Sequence, residues 1–295
     1  MTGKPSVTQA RYNSLGIEVV PLDAAFGVEV RGVDLWRSPS PRLVSELRAL
    51  WSEHGIIAFR RQAVSEEELC RFSAEFGDVV PHVRTDWSSK AAREITLVSN
   101  MRNALGQGIG GLGAGEIAWH TDQSFVARPA TGCLLYAVEL PPDNPDTSWA
   151  NLMLAFEAMP AAMRRAVEGR TAEFSYARRV SGYEAGNEPP AAIAAKVPPV
   201  RHGLVQVHPV SGRKALYLDP GTMTGVTGMS EGEGRTLLEE VTRFATASRF
   251  VYRHRWQIGD VVMWDNGFLW HRREGFDTVG SRLMKRTIIR LPPSA

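Results

Sequence analysis

Residues 261–290 read VVMWDNGFLWHRREGFDTVGSRLMKRTIIR, and this stretch decides the fold class. Val261–Trp264 has the apolar, β-branched composition of a buried strand. Asp265-Asn266-Gly267 supplies turn chemistry, a second strand carries His271, and RLMKRTIIRL forms a third. Working outward, runs of the same kind recur: EITLVSN (94–100), CLLYAVEL (133–140), LVQVHP (204–209), KALYLDP (214–220) and FVYRHRW (250–256). Short strands without regular β–α alternation predict an antiparallel sandwich or barrel, not a Rossmann-type sheet.

The N-terminal part is mixed. Residues 17–34 alternate apolar and polar positions between Gly, Pro and Asp breaks, which predicts short antiparallel strands. PRLVSELRALWSEHG aligns Leu43, Leu47, Leu50 and Trp51 on one helical face, with Pro at the start and Gly55 past the end. IIAFR (56–60) reads as a buried strand, and Ser65 with Glu68 forms a capping box opening a helix that Gly77 closes. Two further helices are expected, one around 152–169 and one from Ser230 to Ala247, the latter with a Ser230–Glu233 capping box. No internal repeat is visible. Residues 105–116 carry six glycines and 178–200 are rich in Pro, Gly and Ala; both read as lid loops. A phosphate cradle is disfavoured at the first, because no Lys-Ser/Thr pair follows it.

Composition narrows the class without naming a chemistry. The 295 residues are 43% hydrophobic and 22% charged, ordinary for a globular protein, and the formal net charge of +2 gives no field suited to nucleic acid. No apolar run approaches a membrane span. MTGKPSVTQARYNSLG lacks the apolar region of a signal peptide, and two cysteines, Cys70 and Cys133, make no disulfide framework. A cytoplasmic protein acting on a small molecule is expected, with no nucleic-acid or membrane partner and with room for a homo-oligomer.

The strongest chemical signal is Trp119-His120-Thr121-Asp122. In a strand, residues i and i+2 project from one face, so His120 and Asp122 can reach one ion. A His and a carboxylate are two of the three ligands of the facial triad of non-haem iron oxygenases. His-x-Asp alone is a weak signal, and it needs a distal His. His54 ends a helix, where it complements the dipole. His202 and His208 sit at a loop and a strand end, His254 lies between Arg253 and Arg255, and His82 follows Pro81 in a loop. His271 sits on a strand and is followed by Arg282 and Arg286. A buried Arg on an apolar strand requires an anion, which a dicarboxylate cosubstrate or a structural Asp could supply.

The ordered segments WHTDQSF, DTSWANL, WDNGFLWH and SRLMKR resemble the TauD/TfdA (taurine dioxygenase-like) family of Fe(II)/2-oxoglutarate-dependent dioxygenases. The resemblance runs from Arg61-Gln62 to the C-terminal strand. It implies Fe(II) held by His120, Asp122 and His271, with 2-oxoglutarate and O2 as cosubstrates. Thr147 would hydrogen-bond the distal carboxylate of 2-oxoglutarate, Arg286 would form its salt bridge, and Arg282 would lie nearer the C1 carboxylate. The implied fold is mainly β with helices: a double-stranded β-helix (jelly roll, cupin-like) core decorated by helices. One domain over 1–295 is expected, with N-terminal strands and helices at 16–93 and the jelly-roll core at 94–295. The implied reaction is hydroxylation of an unactivated C–H bond with release of succinate and CO2. Asp122 argues against a halogenase, which lacks that ligand. Desaturation, epoxidation and ring formation share the same ligands. A non-catalytic jelly-roll binding protein is the alternative of another class, and a zinc hydrolase would give no role to Thr147 and Arg286.

The substrate end departs from taurine-using members. His82 matches the family's sulfonate-binding histidine, but Thr85 stands where those enzymes have tyrosine and Glu116 replaces an amide. The reading is that Glu116 attracts a substrate amine or guanidine while His82 or Arg84 meets an acidic group. That suits an amino-acid-like or natural-product substrate. Trp119, Trp264 and Trp270 read as core aromatics, and Asp265 and Asn266 as turn residues.

Overall fold

The computed structural model describes residues 12–178, 195–276 and 280–291. In chain order its strands are β1 (Glu18–Pro21), β2 (Val28–Arg31), β3 (Ile56–Phe59), β4 (Asp78–Val79), β5 (Thr96–Ser99) and β6 (Gly111–Leu112). Then come β7 (Ile117–His120), β8 (Gly132–Glu139), β9 (Thr147–Asn151), β10 (Thr171–Phe174), β11 (Val200–Gly203) and β12 (Val205–Val207). The last are β13 (Lys214–Leu216), β14 (Met223–Val226), β15 (Val251–His254), β16 (Val261–Asp265), β17 (Leu269–Arg273) and β18 (Leu283–Arg290). The helices are α1 (Pro41–His54), α2 (Glu66–Ala74), α3 (Leu152–Glu157), α4 (Ala161–Val167) and α5 (Glu231–Ala245).

A large sheet runs β1-β2-β3-β16-β8-β18-β5-β6, with β4 beside β18, and a four-stranded sheet runs β15-β9-β17-β7. Small sheets β11-β10-β14 and β12-β13 complete the set. The chain is therefore mainly β with few helices, as expected. Residues 261–273 differ from the simple hairpin that their turn signals suggest. β16 belongs to the large sheet and β17 to the four-stranded one, so Asp265-Asn266-Gly267 carries the chain across between sheets. The helix expected over 152–169 is two helices, because Pro160 lacks the N–H needed to continue α3 and instead precedes α4.

Period-two alternation decides what each strand shows to which layer. On β16, Val261 and Met263 pack with Leu47, Leu50 and Trp51 of α1 and with Leu69 and Phe72 of α2. Val262 and Trp264 pack instead with Trp149 of β9, Tyr252 of β15 and Leu269 of β17, filling the space between the two larger sheets. β18 obeys the same rule. Lys285 pairs with Glu66 at 3.0 Å and Thr287 meets Ser73 at 2.7 Å, both on α2. Met284 and Ile288 face the inter-sheet core, and Arg286 shares their parity.

The helices begin where their caps predict. Ser65 with Glu68 and Ser230 with Glu233 form reciprocal capping boxes, and Ser40 accepts the Leu43 N–H ahead of Pro41. Gly55 ends α1 at φ 74°, with the Phe268 ring 2.8 Å from where a Cβ would stand. Only glycine meets both conditions there. Among the described residues no helix is long and apolar enough to cross a membrane. Residues 1–11 and most of the 178–200 loop (179–194) lie outside the described residues.

Candidate metal centre and active site

His120 ends β7 and stands opposite His271 of β17 in antiparallel register, with ring centroids 4.0 Å apart. Asp122 completes a cluster whose ligand atoms all lie within 4.8 Å of one another, and all three residues are buried. Its carboxylate is 3.9 Å from His120 Nε2 and 3.7 Å from His271 Nε2. Contrary to what the His-x-Asp spacing predicts, Asp122 does not share a strand with His120. β7 stops at His120, and Asp122 enters through a turn in which Gln123 adopts φ 57°.

Neighbouring groups prepare these donors. His120 Nδ1 lies 2.9 Å from the Ala118 carbonyl, so it carries the proton and leaves the Nε2 lone pair for a metal. The Cys133 thiol donates to Asp122 Oδ2 at 3.3 Å, and burial holds its pKa well above the usual thiol range. Arg286 Nη1 donates to Asp122 Oδ1 at 2.8 Å. Asn266 grips the Asp122 backbone: its Oδ1 accepts the N–H at 3.0 Å and its Nδ2 donates to the carbonyl at 2.8 Å. The same Nδ2 also donates to the Ala130 carbonyl at 3.0 Å.

A cavity on one side of the cluster is lined by His120, His271, Thr147, Trp149, Arg282 and Arg286, among others. Thr147 Oγ1 accepts the Trp256 indole N–H at 2.9 Å, which directs its own proton to a different acceptor. Arg282 is 1% exposed; its Nε donates to Asn144 Oδ1 at 2.9 Å, and its Nη1 has no hydrogen-bond partner among the described residues. Burial, and after it the charge of Arg273, works against its protonated state. Because guanidinium does not deprotonate in proteins, an anion in this cavity is what relieves that cost.

A second cavity, on the other side of Arg286, is lined by His82, Trp87, Leu112, Asp122, Phe125 and Tyr176. His82 stacks on Trp87 with centroids 5.5 Å apart, and its Nδ1 accepts the Arg84 N–H at 3.1 Å, so a neutral ring presents Nε2–H. Arg84 itself is forked onto Asp86, at 2.9 and 2.7 Å, and lies over the Trp87 ring. Leu112 lines both cavities at φ 66°. Arg273, two residues beyond His271, holds the Leu112 and Gly115 carbonyls at 2.8 and 2.6 Å. A Cβ on Gly111 would lie 2.2 Å from the Trp87 ring. The glycine-rich segment expected as a lid is thus packed onto Trp87, with β6 paired to β5.

The family described as Taurine catabolism dioxygenase TauD, TfdA family matches residues 18–288. The chain belongs to this family. The TauD/TfdA assignment is supported by relatives over nearly the full length. An alpha-ketoglutarate-dependent 2,4-dichlorophenoxyacetate dioxygenase of Cupriavidus pinatubonensis is 32% identical, over 90% of this chain and 95% of its own. An (S)-phenoxypropionate/alpha-ketoglutarate-dioxygenase of Sphingobium herbicidovorans is 27% identical, over 96% and 98%. The solved structure of AAD-2 with Mn(II) and N-oxalylglycine is 28% identical with a TM-score of 0.78, covering 94% of this chain and 98% of that one.

This TauD/TfdA protein is accordingly an Fe(II)- and 2-oxoglutarate-dependent dioxygenase that consumes O2. Its donor set fits the iron: two imidazoles and a carboxylate, with one imidazole fixed in its metal-binding tautomer. Of the residues expected from sequence, His120, Asp122, His271, Thr147, Arg282, Arg286 and His82 line the two cavities. Glu116 does not: it is exposed and lines neither. Arg84 is engaged with Asp86 and Tyr176. Sequence reasoning missed Asn266, Trp256, Asn144, Phe125 and Tyr176 as parts of the site. None of these five had a local signal; Arg273, which also lines the first cavity, had one, since it shares strand parity with His271.

Proposed function

We propose that this dioxygenase hydroxylates a C–H bond of a small acidic substrate whose body is apolar and flat. One observation carries the reading: the cavity beside Asp122 combines Arg286 and a His82 N–H with Trp87, Phe125 and Tyr176 walls. Guanidinium and imidazole suit a carboxylate or similar anion, and the aromatic faces suit an aryl or alicyclic body. The names of two relatives, which act on aryloxy acids, support the same class. An amine-recognising role for Glu116 is withdrawn, because that carboxylate is exposed outside the cavity.

In this reading His120 Nε2, Asp122 and His271 hold the iron. When bound, Fe(II) with 2-oxoglutarate and O2 supplies the oxidising power that breaks the substrate C–H bond. Arg282 and the Thr147 hydroxyl take the distal carboxylate of 2-oxoglutarate. Arg286, anchored on Asp122, faces the metal end of both cavities. This exchanges the roles first expected of the two arginines. The support is that Arg286 is 2.8 Å from an iron ligand, whereas Arg282 is tied to Asn144, three residues before Thr147. Trp87, Phe125 and Leu112 exclude water from the reacting region. The two larger sheets enclosing this centre are read as the double-stranded β-helix core. The free thiols of Cys70 and Cys133 support a cytoplasmic setting.

The test is substrate-dependent succinate release, screened over aryl and alicyclic carboxylates beside amino acids and taurine. Stimulation by the carboxylates, lost in His82→Ala, is expected. Stimulation by amino acids alone would overturn the substrate class.

A further inference from the structure

Three aromatic side chains form a chain of close ring contacts that starts at His271; two of them, Trp264 and Trp149, also wall the Thr147–Arg282 cavity. The Trp264 ring lies 5.0 Å from the His271 ring, centroid to centroid. Trp149 follows at 5.6 Å from Trp264, and Tyr252 at 6.3 Å from Trp149, with those last two planes only 22° apart. All three are buried. Indole and phenol are among the most readily oxidised side chains, and rings this close exchange electrons rapidly by tunnelling.

Hydrogen bonding is graded along the line. The indole N–H groups of Trp264 and Trp149 have no hydrogen-bond partner among the described residues. An unpaired buried donor calls for an explanation. Its redox consequence is direct: an oxidised indole there has no base to take its proton, so it stays a cation and the electron hole moves on. Tyr252 differs. Its hydroxyl lies 2.8 Å from His254 Nδ1, and His254 Nε2 lies 3.0 Å from Asp260 Oδ2. The Asp260 carboxylate takes the Nε2–H and leaves Nδ1 as acceptor for the phenol proton. Burial lowers the His254 pKa, which keeps the ring neutral and able to accept. Tyr252, pushed up to about 12 chiefly by burial, stays protonated until it is oxidised. Asp260 is also paired with Arg60, which lines a surface cavity of about 680 Å³ with Arg61 and Gln257.

We propose that Trp264, Trp149 and Tyr252 form an escape route for oxidising equivalents, used when O2 is consumed without oxidation of substrate. The proposal rests on the dioxygenase activity of this centre. In such an event 2-oxoglutarate becomes succinate and CO2, and a two-electron oxidising equivalent remains at the centre. Tyr252 gives up one electron, which passes through Trp149 and Trp264, while its phenol proton moves to His254 Nδ1. The product is a neutral tyrosyl radical. A small one-electron reductant of the enediol class, such as ascorbate, returns the electron, and His254 returns the proton. Two rounds, with two protons taken up at the centre, restore Fe(II) and release water.

The experiment uses the full chain loaded with Fe(II) and 2-oxoglutarate, mixed with O2 without substrate and freeze-quenched. Electron paramagnetic resonance, succinate and peptide mass spectrometry are read from the same samples. A tyrosyl signal is expected in the parent protein, quenched by ascorbate, lost in Tyr252→Phe and weakened in His254→Gln. Tyr252→Phe should also inactivate itself faster without substrate, with more oxygen inserted into Trp149 and Trp264. Its turnover with substrate should match the parent. Succinate without a tyrosyl signal, or a signal unchanged in Tyr252→Phe, overturns the proposal while leaving the dioxygenase reading standing. Absence of succinate without substrate, from protein that releases succinate with substrate, also overturns the proposal alone; absence of succinate under both conditions overturns both.

Discussion

The side-chain amide of Asn266 binds Asp122 at both ends, taking its N–H at 3.0 Å and giving a hydrogen bond to its carbonyl at 2.8 Å. A neighbouring strand would do this for a residue inside a ladder, but β7 has already ended at His120. Asn266 therefore replaces the missing strand for one iron ligand. Asn266→Ala is expected to lower Fe(II) affinity by about 10- to 100-fold, the usual effect of losing a group that orients a ligand. Equilibrium dialysis measures this directly, with circular dichroism confirming the fold. Unchanged affinity would show that the turn alone holds Asp122.

The two arginines of β18 make separable predictions. Arg282→Ala should raise the KM for 2-oxoglutarate by roughly 10- to 150-fold, the worth of a charge-assisted hydrogen bond. Arg286→Ala should lower kcat and shift the visible charge-transfer band of the anaerobic Fe(II)–2-oxoglutarate complex, because its partner is a ligand, and should raise the KM for the acidic substrate, because it lines that cavity. If the effect on the KM for 2-oxoglutarate appeared in Arg286→Ala and not in Arg282→Ala, the assignment made from sequence would be restored.

Gly111 tests the packed glycine-rich segment. A methyl group there would meet the Trp87 ring at 2.2 Å. Gly111→Ala should displace that ring and raise the KM for substrate several-fold. The KM for 2-oxoglutarate should stay within about 2-fold, since Trp87 lines only the His82 cavity. Equal effects on both would mean that the segment moves as a unit.

Acid should destabilise the fold through its buried histidines. The pKa values of His202 and His254 are both lowered, mainly by burial. A histidine whose folded pKa is depressed contributes stability above the unfolded value, about 6.5, and that stability is lost as pH falls toward the folded value. Tm should therefore drop as pH falls below about 6.5, and more gently in a His202→Gln/His254→Gln double variant. Parallel curves for the two proteins would refute this origin.

What the sequence disclosed was whatever local spacing encodes. His120, Asp122, His271 and the two arginines lie in segments whose residue order identifies them, and the capping boxes at Ser65 and Ser230 mark helix starts within four residues. β9 carries a recognisable motif but no strand signal, because Thr147, Ser148 and Asn151 dilute its apolar character. β10, β11 and β14 are short and mixed, and their pairing with one another supplies what composition does not. Glu116 misled because closeness to His120 in sequence says nothing about the side on which an exposed loop carboxylate emerges. Asn266 has ordinary turn chemistry, and its grip on Asp122 spans 144 residues, beyond any local signal.

β18 turns its odd residues, Lys285 and Thr287, toward α2 and its even residue Arg286 toward the centre. A slip of one residue would send the arginine into the helix layer and bring a lysine or threonine to the iron ligand. The contacts with α2 therefore reinforce the register of the active site: a strand seated one residue off would lose Lys285–Glu66 and Ser73–Thr287 together with the Arg286–Asp122 bond. Apart from Arg286, the walls of the proposed substrate cavity, drawn from the 82–87 region, Leu112, Asp122, Phe125 and Tyr176, lie off this strand. New substrates can be accommodated there by substitution without reopening the register on which cosubstrate use depends.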